Sequence, residues 1–130
     1  MKQINVVGAI LIEKNRILCA QRGETKTLAK LWEFPGGKIE SGEAPQEALA
    51  RELREELMIE VEIASELFEQ TSYAYDFGTV NLTTFICFLK SGKPQLTEHI
   101  EVKWLKASEL KSLEWAPADI PAVNKLMKEM

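Results

Sequence analysis

Histidine occurs once and cysteine twice among the 130 residues of this chain. Cys19 and Cys87 each sit in an apolar, strand-like run and form no CxxC pair. They read as buried thiols of a reducing compartment, not as a disulfide framework or a redox motif. No apolar run approaches the length of a membrane span, and that of "MKQINVVGAILIEKN" is too short and interrupted for a secretory leader. A cytoplasmic protein is expected. The formal charge is −4, and the cations form no basic patch of the kind a nucleic-acid polymer requires. A small nucleotide, which needs only a few local cations, is not excluded. Repeats, low-complexity segments and linkers are also missing. The length suits one domain, residues 1–130, with a core large enough to dispense with metal or disulfide staples.

What is present is a succession of strand signals around one strong helix. "INVVGAILIE" reads as a strand, "KN" as a turn and "RILCAQR" as its hairpin partner. The polar "GETKTLAK" leads into "LWEFPGG", where Pro35 and the two glycines break regular structure. A helix is expected from Pro45, with Leu49, Leu53 and Leu57 spaced four apart. Ala44 before it is a poor N-cap, so the helix start reads as weakly capped. Strands are expected at "IEVEIASELFEQ", "TSYAYDF", "TVNLTTFICFL" and "EVKWL", then a short helix at "ASELKSL" and a last helix after Pro117. The pattern is a mixed sheet covered by helices, not an alternating βαβ series.

The helix from Pro45 carries a surplus of one charge. Glu47, Glu52, Glu55 and Glu56 lie on it and Glu43 just before it, offset only by Arg51 and Arg54. Like charges at helical spacing repel by a few tenths of a kcal/mol per pair. At about 100° per residue Glu52, Glu55 and Glu56 share an arc of roughly 100°, beside the leucine face. Arg51 is placed to hold Glu55 at i,i+4. Such a cluster is either a solvated acidic face or a set of hard oxygen ligands for Mg²⁺ or Mn²⁺. Gly36 and Gly37 favour the second reading, because the backbone there can approach closely and offer a carbonyl to the same ion.

Gly37 to Ile59 resembles the Nudix box, G-x₅-E-x₇-R-E-U-x-E-E-x-G-U, with U a bulky aliphatic. Gly37, Glu43, Arg51, Glu52, Leu53, Glu55, Glu56 and Ile59 fill its places, and Met58 stands where the box has its last glycine. "VVGAILIEKNRILCAQR", "LWEFPGGKIESGE" and "APADIP" extend the likeness to MutT-type nucleoside triphosphate pyrophosphohydrolases, with the cytidine-nucleotide branch nearest. The resemblance implies an α/β/α sandwich around a central mixed sheet. It also implies Mg²⁺-dependent cleavage of a nucleoside triphosphate to the monophosphate and pyrophosphate.

Site residues follow from the same likeness. Glu52, Glu55, Glu56 and the Gly37 carbonyl would hold metal, and Glu98 in "LTEHIEVKWL" would complete the set. Glu52 or Glu98 would serve as general base. Arg22 and Lys38 would meet phosphates, and Phe34, Tyr75 and Leu82 would wall the base. Asp119 stands where the base is read, or else caps the last helix. An ionised Asp suits the adjacent N1–H and N2–H₂ of guanine, while cytosine, with N3 beside N4–H₂, requires a protonated Asp or a bond to N4 alone. His99 reads as structural, since carboxylate-held metal does not need it. Tyr75 also resembles a tyrosine of dinucleoside polyphosphate hydrolases. A nucleotide sensor without chemistry is a third possibility, which the intact Arg51, Glu52, Glu55 and Glu56 disfavour.

Overall fold

The computed structural model describes residues 2–130. Strand β1 (Gln3–Glu13) is its spine. Its side chains alternate, as strand geometry demands. Val7, Ala9 and Leu11 enter one core with Leu18 and Phe85, while Ile10 enters a second with Ile17, Trp32 and Trp115. Both faces are therefore covered, which explains the nearly continuous apolar run.

β1 runs parallel to β7 (Gly78–Ser91), from Gln3 opposite Thr79 to Leu11 opposite Cys87. Its other edge meets β4 (Gly36–Lys38) antiparallel, with Gly8 opposite Gly36. The expected hairpin with β2 (Arg16–Gln21) exists but is short, pairing only Ile12 with Ile17 and Glu13 with Arg16. Beyond that point β2 leaves to pair with β3 (Trp32–Glu33) and β8 (Glu101–Leu105).

The continuous strand expected at 59–70 divides in two. β5 (Glu60–Ile63) pairs with the far end of β7, and β6 (Glu69–Tyr75) with its near end. Residues 64–68 bridge them, held to the same edge by Ala64 N–H to Ile86 O and Phe68 N–H to Thr84 O.

Helix α1 (Pro45–Leu57) lays Ala48, Leu49, Leu53 and Leu57 on the first core. Its start is better held than Ala44 suggests. Ala44 cannot cap with a methyl group, but its N–H donates to Glu47 Oε1 at 2.8 Å, the reciprocal half of a capping box. The helix ends on Met58 in the left-handed conformation, φ 58° and ψ 41°. Helix α2 (Ile120–Glu129), preceded by 3₁₀ turns at Ala107–Ser112 and Pro117–Asp119, closes the second core with Ala122, Val123 and Leu126. The result is a mixed eight-stranded sheet between helical layers. Among the described residues no helix is long and apolar enough to cross a membrane.

Candidate active site

A cleft of about 540 Å³ opens between α1, β4, the loop after β2, the loop before β8 and the 3₁₀ turn before α2. Its acidic end is built by close packing of backbone and side chain. A Cβ on Gly36 would lie 1.9 Å from Val7 O, and one on Gly37 would lie 2.3 Å from the Glu52 carboxylate. Only glycine therefore lets β4 sit against β1 while Glu52 lies across it. Glu52 and Glu56 follow one turn apart on α1 and both line the cleft.

Arg51 organises the carboxylates around it. Its Nε and Nη2 make a fork onto Glu43 at 2.7 and 3.0 Å, and its Nη1 reaches Glu52 at 2.8 Å and Glu55 at 3.1 Å. Nη2 also donates to Lys38 O at 3.1 Å, tying α1 to β4. A fixed planar fork of this kind suits arginine and not lysine. These hydrogen bonds hold the Glu43 carboxyl at about 2.

Glu56 has the opposite environment. Burial first, then a hydrogen bond and charge repulsion from Glu52, with further repulsion from Glu98 and Glu33, push its carboxyl up to about 9. A divalent cation would replace the proton that this crowding otherwise demands, and an all-oxygen donor set suits Mg²⁺-like ions. As they stand, no three such side chains among the described residues converge on one point. Glu55 is half exposed, turned to Arg51 and outside the cleft lining, while Glu98 is turned to Lys26 at 3.3 Å.

The structure adds Glu33 to the residues singled out from sequence and sets it against His99, which also lines the cleft. Glu33 accepts from Arg22 Nη1 at 2.8 Å and meets His99 Nε2 at 3.0 Å, with Glu56 4.0 Å from the same nitrogen. His99 is buried and its Nδ1 has no protein partner. One signal in the sequence pointed to Glu33: it is a charged residue between two aromatic ones, Trp32 and Phe34. Arg22 lines the cleft, but its Nε and Nη2 hold Thr27 O and Oγ1 at 2.7 and 3.0 Å, folding the loop after β2 onto itself.

Phe34, Tyr75, Leu82, Ala118 and Asp119 line the same cleft. The Phe34 ring packs on Trp115, with centroids 4.8 Å apart, so its backbone N–H is what meets Asp119. Asp119 is buried and its Oδ2 accepts from that N–H at 2.9 Å. Its side chain does not cap α2, although it precedes that helix. Burial, then the charge of Glu33, raises its carboxyl well above the usual range and favours the acid form. Tyr75 Oη accepts from Ala118 N–H at 2.8 Å, pinning the turn that carries Asp119. Lys38 lies beside the glycines at the acidic end.

The model of the NUDIX domain matches residues 1–126 of this chain. The CTP pyrophosphohydrolase of Escherichia coli K12 is 38% identical over 131 residues, covering 98% of this chain and 93% of that protein. The 8-oxo-dGTP diphosphatase of the same organism is 34% identical over 129 residues, covering 98% and 99%. Among solved structures, a MutT protein of the Nudix hydrolase family from methicillin-resistant Staphylococcus aureus 252 superposes with a TM-score of 0.81. It is 52% identical, covering 99% of this chain and 98% of that one.

Proposed function

The chain belongs to the Nudix family, a hydrolase family that works with divalent metal, and on that premise we propose that it cleaves nucleoside or deoxynucleoside triphosphates with Mg²⁺ (or Mn²⁺). The products are the nucleoside monophosphate and pyrophosphate. The substrates are of the cytidine or oxidised-guanine type, acted on by a single domain spanning residues 1–130. The observation that carries the reading is the crowding of Glu56 by Glu52, itself packed on Gly37, in a cleft that the buried Asp119 also lines.

Gly37 O, Glu52, Glu55, Glu56 and Glu98 are the proposed ligands. The bound cation supplies charge neutralisation at phosphate oxygens and a lowered pKa for the attacking water. Glu52 or Glu98 takes the water's proton. Arg51 holds Glu52 in the cleft, Glu55 turns from Arg51 to reach the cation, and Lys38 and Arg22 add positive charge along the phosphates. Most of the rate enhancement in such a reaction comes from positioning and electrostatic stabilisation.

Asp119 and the Phe34 N–H form the base-reading end. In its acid form Asp119 offers an O–H donor beside an acceptor oxygen. That pair matches an edge with an acceptor next to a donor, such as cytosine N3 and N4–H₂ or guanine O6 and N1–H. It does not match the adjacent guanine donors N1–H and N2–H₂. The acid form thus removes the objection to cytosine that an ionised Asp would raise. The testing experiment is a turnover screen with Mg²⁺ over normal, methylated and oxidised triphosphates, with products identified. Failure to turn over any of them sinks the reading.

A further inference from the structure

The cleft is lined by Lys2, Arg22, Lys26 and Lys38, and these cations differ in how they are engaged. Arg22 is bonded through all three of its nitrogens, to Glu33 and to Thr27. Lys26 projects from the same loop and meets Glu98 across the cleft mouth, Nζ to Oε1 3.3 Å. Both side chains are about half exposed, 48% and 50%. An ion pair this exposed contributes little to stability and exchanges partners readily. The loop itself is anchored independently. Gln21 Nε2 donates to Lys30 O, the N–H of Arg22 to Leu31 O, and the N–H of Lys26 to Gly23 O. Only the flexible lysine stem has to move.

We propose that Lys26 is a phosphate-binding residue held in reserve by Glu98: the two pair in the metal-free protein, and when Glu98 turns to the cation, Lys26 is released to the phosphate chain of the nucleotide. The proposal rests on the reading of Glu98 as a metal ligand. The charges make the exchange favourable. A triphosphate brings several negative charges to a cleft already lined by Glu33, Glu52, Glu56 and Glu98. A lysine ammonium is a compact point charge on a long stem, suited to follow a phosphate. Its initial partner is the acidic side chain that must reorient for the carboxylates to converge.

Calorimetry on the full chain tests this with two probes, neither requiring turnover. Mn²⁺ alone reports the metal site. A non-hydrolysable triphosphate analogue at saturating Mg²⁺, compared with the corresponding monophosphate, reports the phosphate site. Lys26→Gln should bind Mn²⁺ a few-fold more tightly, because Glu98 loses its competing partner, and the triphosphate analogue roughly 3- to 10-fold more weakly. Monophosphate affinity should be unchanged, and Lys26→Arg should retain triphosphate affinity. Unchanged triphosphate affinity in Lys26→Gln, or an equal fall for both nucleotides, would overturn the role of Lys26. Glu98→Gln separates that failure from failure of the metal assignment. Its Mn²⁺ affinity should fall, and an unaltered value removes Glu98 from the ligand set and the exchange with it.

Discussion

Met58 carries left-handed backbone angles with a side chain 64% exposed, so it bears the strain of the position without burying much in return. Met58→Gly should raise the denaturant midpoint or leave it unchanged. Relief of about 1 kcal/mol of backbone strain is partly offset by the entropy that glycine adds to the unfolded chain. A loss of more than ~1 kcal/mol would mean that the methionine packs usefully. Asp119 supports a second residue-level prediction. If Asp119 reads the base, as proposed, Asp119→Ala should lower kcat/KM for the preferred triphosphate by roughly 10- to 200-fold, or ~1.5–3 kcal/mol. Asp119→Asn keeps a donor and an acceptor and should retain activity near neutral pH. Wild type should lose kcat/KM as pH rises through the raised pKa of Asp119, whereas the Asn variant should not share that limb. Equal loss over all nucleotides in both variants would deny Asp119 a part in base selection. That this carboxyl is buried against Phe34 N–H was invisible in sequence. The contact joins residues 85 apart, and the bridge between Trp32 and Trp115, with the backbone hydrogen bonds that flank it, brings those segments side by side.

Helix α1 was the most legible element, because Leu49, Leu53 and Leu57 mark its buried face and the glutamates mark the neighbouring one. The hub role of Arg51 was legible only in part. Spacing gives its i,i+4 contact with Glu55, but the stronger fork onto Glu43 depends on how the chain turns before the helix. Arg51→Lys should keep the charge and lose the fork, lowering stability by ~1–3 kcal/mol and reducing turnover as Glu52 loses its fixed position. Stability unchanged within error would show that the fork contributes nothing. Glu56 gives this helix a pH signature. Its carboxyl stands at about 9 in the folded chain against an ordinary 4.5. Between those values the native state keeps a proton that the unfolded chain has lost. Metal-free stability should therefore be greatest below about pH 4.5, as far as Glu56 contributes, and should fall as pH rises toward about 9. Thermal melts in chelator across that range should show the fall in wild type and a flatter profile in Glu56→Gln; parallel profiles would contradict the assignment. The split of the strand expected at 59–70 has a different origin. β7 is long enough to pair with β6 and β5 end to end, and no local pattern announces where the edge is handed over.

At the scale of the whole molecule the helix-covered mixed sheet was readable from the order of strand and helix signals, and the carboxylate cluster from the spacing of one segment. Glu33 escaped, and so did its pairing with His99, because their meeting depends on the loop before β8 lying back on β2, where Ile100 N–H donates to Gln21 O. The chain thus lines one cleft with four carboxylates, Glu33, Glu52, Glu56 and Glu98, and with the buried acid Asp119. The most direct measurement of that account is product analysis after incubation with cytidine-type and oxidised-guanine triphosphates and Mg²⁺, for wild type and Glu56→Gln. The account predicts nucleoside monophosphate and pyrophosphate in equal amounts from wild type, and at least ~10²-fold slower release from a folded Glu56→Gln protein. Orthophosphate as the product, or near-wild-type turnover in Glu56→Gln at saturating Mg²⁺, would contradict it.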